Sequence, residues 1–447
     1  MTFPIRALGP AEHSANLPQQ ADIVVIGGGI IGVCTALYAA RAGQRVVVLE
    51  KGRVAAEQSS RNWGWIRVQG RDYAEIPIAL QAQLLWKKLD ADCGGRLGLA
   101  QPGVTYMARD QADLERYESW LERARPLGVS SELTSARDTV RLTGGARAPW
   151  IGALHTPTDH TANPWVAVPE LARLAVASGA TIIEDCAVRA LDLQGGKVTG
   201  VFTEKGAIKA PRVVLAGGAW SSLFLRRHGV SIPQLSVKAS VAATSPVPEV
   251  MSSAGASEGL ALTRRRDGGY TLAPGGFADL FLGPDALRAI PNYLTLLRED
   301  GMPGRLRRAA PDGFPDAWNT LRDWPEDAIS PFERMRVLDP APDLSRLHDL
   351  VARVQTIWPQ VGPMHITKAW GGMIDVMPDV VPVVDHVPAL AGLIAVTGMC
   401  GHGFGIGPAF GQIAAQLAMG RAGQYDLNRF RFVRFADGSK MQLGPNV

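Results

Sequence analysis

The chain has 447 residues, 46% of them apolar, and 46 Lys and Arg stand against 42 Asp and Glu. That length suits two domains or one large two-part unit with a sizeable core, and the charge balance is too even for a nucleic-acid footprint. The four cysteines, Cys34, Cys93, Cys186 and Cys400, show neither metal-ligand nor disulfide spacing; this predicts no metal centre and a reducing, cytoplasmic setting.

Residues 1–20 lack the n-region and h-region of a secretion signal and read as a loose N-terminal extension. The next stretch organises the rest. Ile23 to Ile26 is a β-branched apolar run suited to a strand buried on both faces. Gly27, Gly29 and Gly32 then give G-x-G-x-x-G, followed by a helix over roughly Ile31–Arg41 with Gly43 as its C-terminal stop. A second strand, Arg45 to Leu49, ends at Glu50. The glycines allow a tight turn, close approach to a pyrophosphate and close helix packing, and a carboxylate at Glu50 accepts from a ribose hydroxyl. The motif sits between a strand and a helix with its acid at the expected distance, so it predicts a Rossmann-type dinucleotide site. Four glycines within residues 23–40 argue against a transmembrane segment there.

Ser59 to Arg67 mixes small, polar and aromatic residues. It either wraps the ring end of a flavin or is a loop anchored by its two tryptophans. Amphipathic helices are predicted over 75–90 and 110–125, the second capped by Asp110, with a short strand over Gly103–Ala108 between them. Asn163 and Pro164 start another helix. Thr181–Ile183 is a strand, residues 188–203 form a hairpin, and Val213–Ala216 is a buried strand entering Gly217-Gly218-Ala219-Trp220. Residues 231–285 alternate as strands; 286–335 are irregular and helical in part; Leu344 to Ile357 is an amphipathic helix stopped by Pro359. Leu393–Val396 is a strand entering the glycine-rich run Gly401 to Pro408, with a helix from about Ala409 to Met419.

In this order, the blocks resemble the D-amino-acid oxidase/glycine oxidase superfamily of FAD-dependent amine oxidoreductases, from residue 21 to about 420. The resemblance rests on the N-terminal fingerprint with Glu50, Ser60-Arg61-Asn62 before Gly64, Asn163-Pro164, Ala216 to Trp220, and Gly401-His402-Gly403 to Pro408. Trp370 to Asp375 with Pro378-Asp379 most resembles the catalytic subunits of opine oxidase and hydrogen cyanide synthase. It implies an α/β fold: a Rossmann-type FAD-binding domain (21–75, 150–230, 360–447) interleaved with an α+β substrate domain on an antiparallel sheet (76–149, 231–359), glutathione-reductase-like. It implies FAD contacts from Gly27, Gly29, Ile30, Ile31, Gly32, Glu50 and Lys51. Further contacts are implied from Ser59, Ser60, Arg61, Asn62, Trp63 and Gly64, from Val188, Ala216, Gly217 and Trp220, and from Gly401, His402, Gly403, Phe404 and Gly405. The FAD is expected to be non-covalent, since Cys400, the only nearby thiol, lies where the pyrimidine end should face.

The implied reaction is oxidation of a C–N bond in a small-molecule amine or amino acid, with oxygen or an electron carrier taking the electrons; a flavin-dependent monooxygenase and a non-catalytic FAD-binding subunit are the alternatives. Relatives of the opine type work with partner subunits, so a homo-oligomer or a partner chain is open. Glycine and sarcosine oxidases carry an Arg just after the Trp-x-Gly block; here Met373, Ile374 and Asp375 stand there. The carboxylate anchor is therefore missing or supplied from elsewhere. Arg264, in a run of three arginines, could hold a carboxylate or belong to a solvated face. Tyr270 could offer its hydroxyl or simply pack in the sheet. His402 is a candidate for flavin contact or proton transfer, Asp375 for a substrate cation or a turn, and Lys238 is a weaker pocket candidate.

Overall fold

The computed structural model describes residues 3–6, 9–276, 278–299, 304–421 and 423–445. Parts of the expected extension (1, 2, 7, 8), of the sheet region (277), of the irregular region (300–303) and of the C-terminal segment (422, 446, 447) lie outside the described residues.

Ile23–Ile26 forms the heart of a six-stranded sheet, pairing in parallel with Val46–Leu49 on one side and Val213–Leu215 on the other. Thr181–Ile183 and Leu393–Thr397 extend the parallel set, and Val383–His386 closes one edge antiparallel. The strands are short, rich in β-branched residues and mostly buried, as a sheet covered on both faces requires, with exposure confined to their ends and to the edge strand Val383–His386. The helix Ile30–Arg41 follows the first strand, and Gly43 behind it adopts φ +82°.

A second sheet has ten strands among the described residues. Its long central strand, Leu235–Thr244, pairs with Tyr270–Ala273, Ala278–Phe281 and Ile366–Val376. Alternation divides its faces. Val241, Ala243, Ala261 and Ala273 join the core shared with the dinucleotide sheet. Leu260, Leu262, Tyr270 and Leu272 face the other way and pack with Leu350, Val354 and Trp358 of the helix Leu344–Ile357 and its end. The hairpin Val188–Gln194/Lys197–Thr203 gains a third strand, Gly206–Lys209, in a separate sheet.

Two strands from segments expected in the FAD-binding domain join the large sheet. Gly152–Thr156 pairs with Val104–Ala108, and Ile366–Val376 pairs with Leu235–Thr244, so both are strands of the large sheet. The N-terminal extension is not loose. Phe3 stacks on Trp165 at 4.2 Å, Arg6 pairs with Asp339 at 3.0 Å, and Ser14 bridges to Ile183.

The last long helix runs Gly403–Ala418, beginning at Gly403 rather than near Ala409. Its glycines serve contact. A Cβ on Gly407 would lie 2.7 Å from Ile30, and one on Gly411 would lie 2.4 Å from Cys34, both on the helix Ile30–Arg41. Glycine composition suggests a turn, but tight packing of two helices requires the same residues.

Candidate active site

Between the two sheets lies a cavity of ≈ 380 Å³. Gly27 turns out of the first strand at φ +106°, and its N–H donates to the Leu49 carbonyl at 2.9 Å. A side chain there would strike the Ala216 carbonyl at 2.5 Å, so this glycine lets two strand ends meet. Glu50 accepts from Gly28 N–H and Gly52 N–H, each at 2.7 Å. Burial pushes its carboxyl up to about 7, against the pull of Lys51 and those two N–H groups. The Ile30 N–H, at the start of the helix, donates to Ser59 Oγ at 2.9 Å.

Of the residues expected around the cofactor, Gly27, Gly29, Ile30, Ile31, Glu50, Lys51, Ser59, Arg61, Asn62, Trp63, Val188, Ala216, Gly217, Trp220, Gly401, His402, Gly403 and Phe404 all line this cavity. Four do not. Gly32 is a packing position, where a Cβ would lie 1.9 Å from the Gly27 carbonyl oxygen. Ser60 is fully buried and accepts from Ile5 N–H at 3.3 Å. Gly64 abuts the Ala162 carbonyl, and Gly405 sits inside the helix with its carbonyl taken by Trp86 Nε1–H at 2.8 Å.

Arg264 and Tyr270 are also absent from the lining. They are register partners in the large sheet, on the face turned to the helix Leu344–Ile357. Arg264 donates to the Val247 carbonyl at 2.9 Å and lies over the Tyr270 ring. The Tyr270 hydroxyl accepts from Val250 N–H at 3.0 Å. Strand alternation turns Lys238 outward likewise, where it pairs with Asp279 at 3.2 Å, while neighbouring Ala239 and Val241 face the cavity. Asp375 does line it. Its Oδ2 accepts from Gly398 N–H at 2.7 Å, and its Oδ1 has no partner.

Arg67, the last residue of the stretch expected to wrap a flavin ring, and Arg71, which the sequence reading did not single out, line the cavity beside Trp63 and Trp65. Neither forms an ion pair within salt-bridge distance among the described residues. Behind them Glu75 is fully buried, and its Oε2 meets His402 Nδ1 at 3.1 Å. No periodic signal marks them, because residues 67–75 precede the helix that starts at Ile76. Cys400, at φ +50°, is held in its own turn: Sγ accepts from Met377 N–H at 3.3 Å and donates to the Gly398 carbonyl at 3.1 Å. Burial raises its thiol well above the usual range.

The residues fit FAD. The glycine turn, the helix start and the Glu50 carboxylate suit a dinucleotide. The unpaired Asp375 Oδ1 and Arg61 Nη2 are polar atoms awaiting a partner in the same space. A dinucleotide cradle that opens onto Arg67 and Arg71 suits a flavin-dependent oxidoreductase. The chain belongs to the DAO family of FAD dependent oxidoreductases, whose family model matches residues 22–417.

Among solved structures, the L-amino acid deaminase of Proteus myxofaciens, in complex with anthranilate, superposes with a TM-score of 0.90 at 29% identity, covering 96% of this chain and 97% of that one. Sarcosine oxidase subunit beta of Rhizobium meliloti is 24% identical over 97% of this chain and 92% of its own length. Mitochondrial sarcosine dehydrogenase of Mus musculus is 29% identical over 60% of this chain, which matches 30% of that protein's length. The chain spans only about a quarter to a half of the length of several of the curated relatives it matches, mitochondrial sarcosine dehydrogenase among them. No described helix is long and apolar enough to cross a membrane.

Proposed function

We propose that the protein oxidises the C–N bond of an amino acid or related amine, and that the imine formed then hydrolyses in water. The observation that carries this reading is a single cavity lined both by the dinucleotide cradle, Gly27, Gly29, Ile30, Ile31 and Glu50, and by the cations Arg67 and Arg71, which make no salt bridge among the described residues. Bound FAD supplies the hydride acceptor; the chain binds, orients and shields. In this reading Gly27, Gly29, Ile30, Ile31 and Glu50 hold the adenosine and pyrophosphate portions. Lys51, Ser59, Arg61, Asn62, Trp63, Val188, Ala216, Gly217 and Trp220 complete the wall, and Gly401, His402, Gly403 and Phe404 lie toward the flavin ring.

The FAD is non-covalent in this account. A buried thiol that donates within its own turn is a poor nucleophile, and acid precipitation should leave the flavin in the supernatant. The four cysteines are free, which supports a cytoplasmic setting. The relative named as a subunit supports assembly with a partner chain or a second copy.

The test is product analysis. Holoprotein incubated with an amino-acid and amine panel, with oxygen or an artificial electron acceptor, should release ammonia and carbonyl product in equal amounts. Turnover that consumes NAD(P)H and hydroxylates a substrate would instead support the monooxygenase, and no turnover with any donor the non-catalytic subunit.

A further inference from the structure

Within the stretch expected to be irregular, Ser330 to Asp339 runs against the cofactor cradle. It begins as one helical turn, Pro331–Arg334, and continues without regular structure. Gly52 receives it: a Cβ there would lie 2.2 Å from the Arg336 carbonyl oxygen, so the two backbones touch. Lys51 ties it down. Its Nζ donates to Glu57 Oε1 at 2.6 Å, to the Met335 carbonyl at 2.9 Å and to the Arg336 carbonyl at 3.0 Å. An ammonium has three hydrogens, so none remains for a phosphate. Arg336 returns the contact, donating to the Lys51 carbonyl at 2.9 Å and to Glu204 Oε2 at 2.6 Å. Leu338 N–H donates to Glu57 Oε1 at 3.0 Å, and Asp339 Oδ1 accepts from Arg61 Nη1 at 2.6 Å.

Of these ten residues, Phe332 alone lines the cavity. Its ring meets Trp220 and Trp324 edge-on, with centroids 5.7 and 5.4 Å apart, so its orientation is set from behind. In the dinucleotide reading Glu50 takes the ribose, and the adenine lies beyond it. The wall on that side is Lys51, Val188, Trp220, Phe224 and Phe332. Lys51 belongs to it by position, with its ammonium 4.5 Å over the Trp220 ring. Apart from that cation the wall is apolar and rich in aromatic rings, which suits the flat π-face of a base.

We propose that Ser330–Asp339 is a clasp that retains FAD: Phe332 covers the adenine, and Lys51 and Arg336 hold the clasp shut. The inference rests on FAD occupying this cavity and stands whichever amine is oxidised. Phe332 touches the cofactor; Lys51 and Arg336 act through the clasp and are positioning residues. For the adenine to leave, Phe332 must swing away from Trp220. It cannot travel far while the Met335 and Arg336 carbonyls, three and four residues on, are bonded to Lys51. Release therefore waits for a local opening in which those bonds break and the backbone around Arg334 and Arg336 meets solvent. Bound FAD adds the Phe332 contact to the closed form alone, so it holds the clasp closed in turn.

The test follows FAD release from full-length holoprotein on dilution, read as the rise of flavin fluorescence. Arg336→Met is the central variant, because Arg336 does not line the cavity. Loss of its charge-assisted bonds should speed release about tenfold or more, and Lys51→Met should do the same. Phe332→Ala should weaken FAD about tenfold and leave FMN, which has no adenine, at its wild-type affinity. Limited trypsin digestion needs no variant. Cutting after Arg334 and Arg336 should be about tenfold slower with FAD bound than without it, and Lys51→Met should quicken it in both states. A wild-type release rate in Arg336→Met, equal weakening of FAD and FMN by Phe332→Ala, or cutting that FAD does not slow overturns the proposal while leaving oxidative deamination standing. If the wild-type protein takes up no FAD, the cofactor reading itself fails, and this inference with it.

Discussion

Gly32 lies so close to Gly27 that a Cβ on it would sit 1.9 Å from the Gly27 carbonyl oxygen. The obstacle is backbone, so it cannot swing aside. Gly32→Ala should push the first helix off its strand, cost about 1–3 kcal/mol or more, and reduce flavin content. Gly43→Ala is the comparison: φ there is +82°, but the space is open. It should cost only about 1–2 kcal/mol of left-handed backbone strain and leave flavin content unchanged. Urea midpoints and flavin-to-protein absorbance ratios check both; a Gly32→Ala protein with wild-type values would refute the packing role.

Glu50 carries a pH prediction. Its raised value, about 7, belongs to the protein without FAD, where burial dominates. Ribose hydroxyls donate best to the ionised carboxylate. FAD binding should therefore release a proton and tighten as pH rises through 7. Glu50→Gln should bind more weakly and lose that dependence. Fluorescence titrations between pH 6 and 8 measure it, and a flat wild-type profile would argue against this placement of the ribose.

His228 makes acid stability predictable. Its Nε2 accepts from Leu191 N–H at 2.9 Å and its Nδ1 donates to the Phe224 carbonyl at 2.9 Å, so the folded protein needs the neutral ring. Burial lowers the group from 6.5 to about 4. Its stabilising contribution is full above 6.5 and is lost as pH falls from there toward 4, because only the unfolded chain takes up the proton. Denaturation midpoints should drop between pH 7 and 5, and His228→Gln should show a smaller drop from a lower starting point. An unchanged slope in the variant would count against it.

The C-terminal segment is fastened by a buried ion pair. Arg434 meets Asp379 through Nε at 2.8 Å and Nη2 at 3.0 Å, with Arg429 on the same carboxylate at 2.9 Å. Arg434→Met should destabilise by about 3 kcal/mol, because Asp379 is 1% exposed and loses its two-pronged partner. Thermal unfolding and limited proteolysis of the C-terminal segment would register the change.

What was legible in the sequence was local. Gly27, Gly32 and Glu50 announce themselves by spacing, and Val46–Leu49 and Val213–Leu215 by unbroken apolar runs. What escaped was long-range. Alternation around Arg264 and Tyr270 shows that a strand has two faces; only the packed helix Leu344–Ile357 decides which one is turned from the cavity. Arg67 and Arg71 stand in irregular backbone, where no period marks an inward side. His402 and Glu75 meet across 327 residues. Gly407 misled for a different reason: close helix contact and a loop ask for the same residue.

The most direct test of the account is anaerobic addition of α-amino acids and amines to the purified yellow protein, followed through its visible flavin absorbance. The account predicts that an amino acid or amine alone bleaches the flavin, with no nicotinamide present, and that air or an artificial acceptor restores the colour. A flavin that dithionite reduces but that no amine or amino acid touches, or that only NAD(P)H reduces, would contradict it.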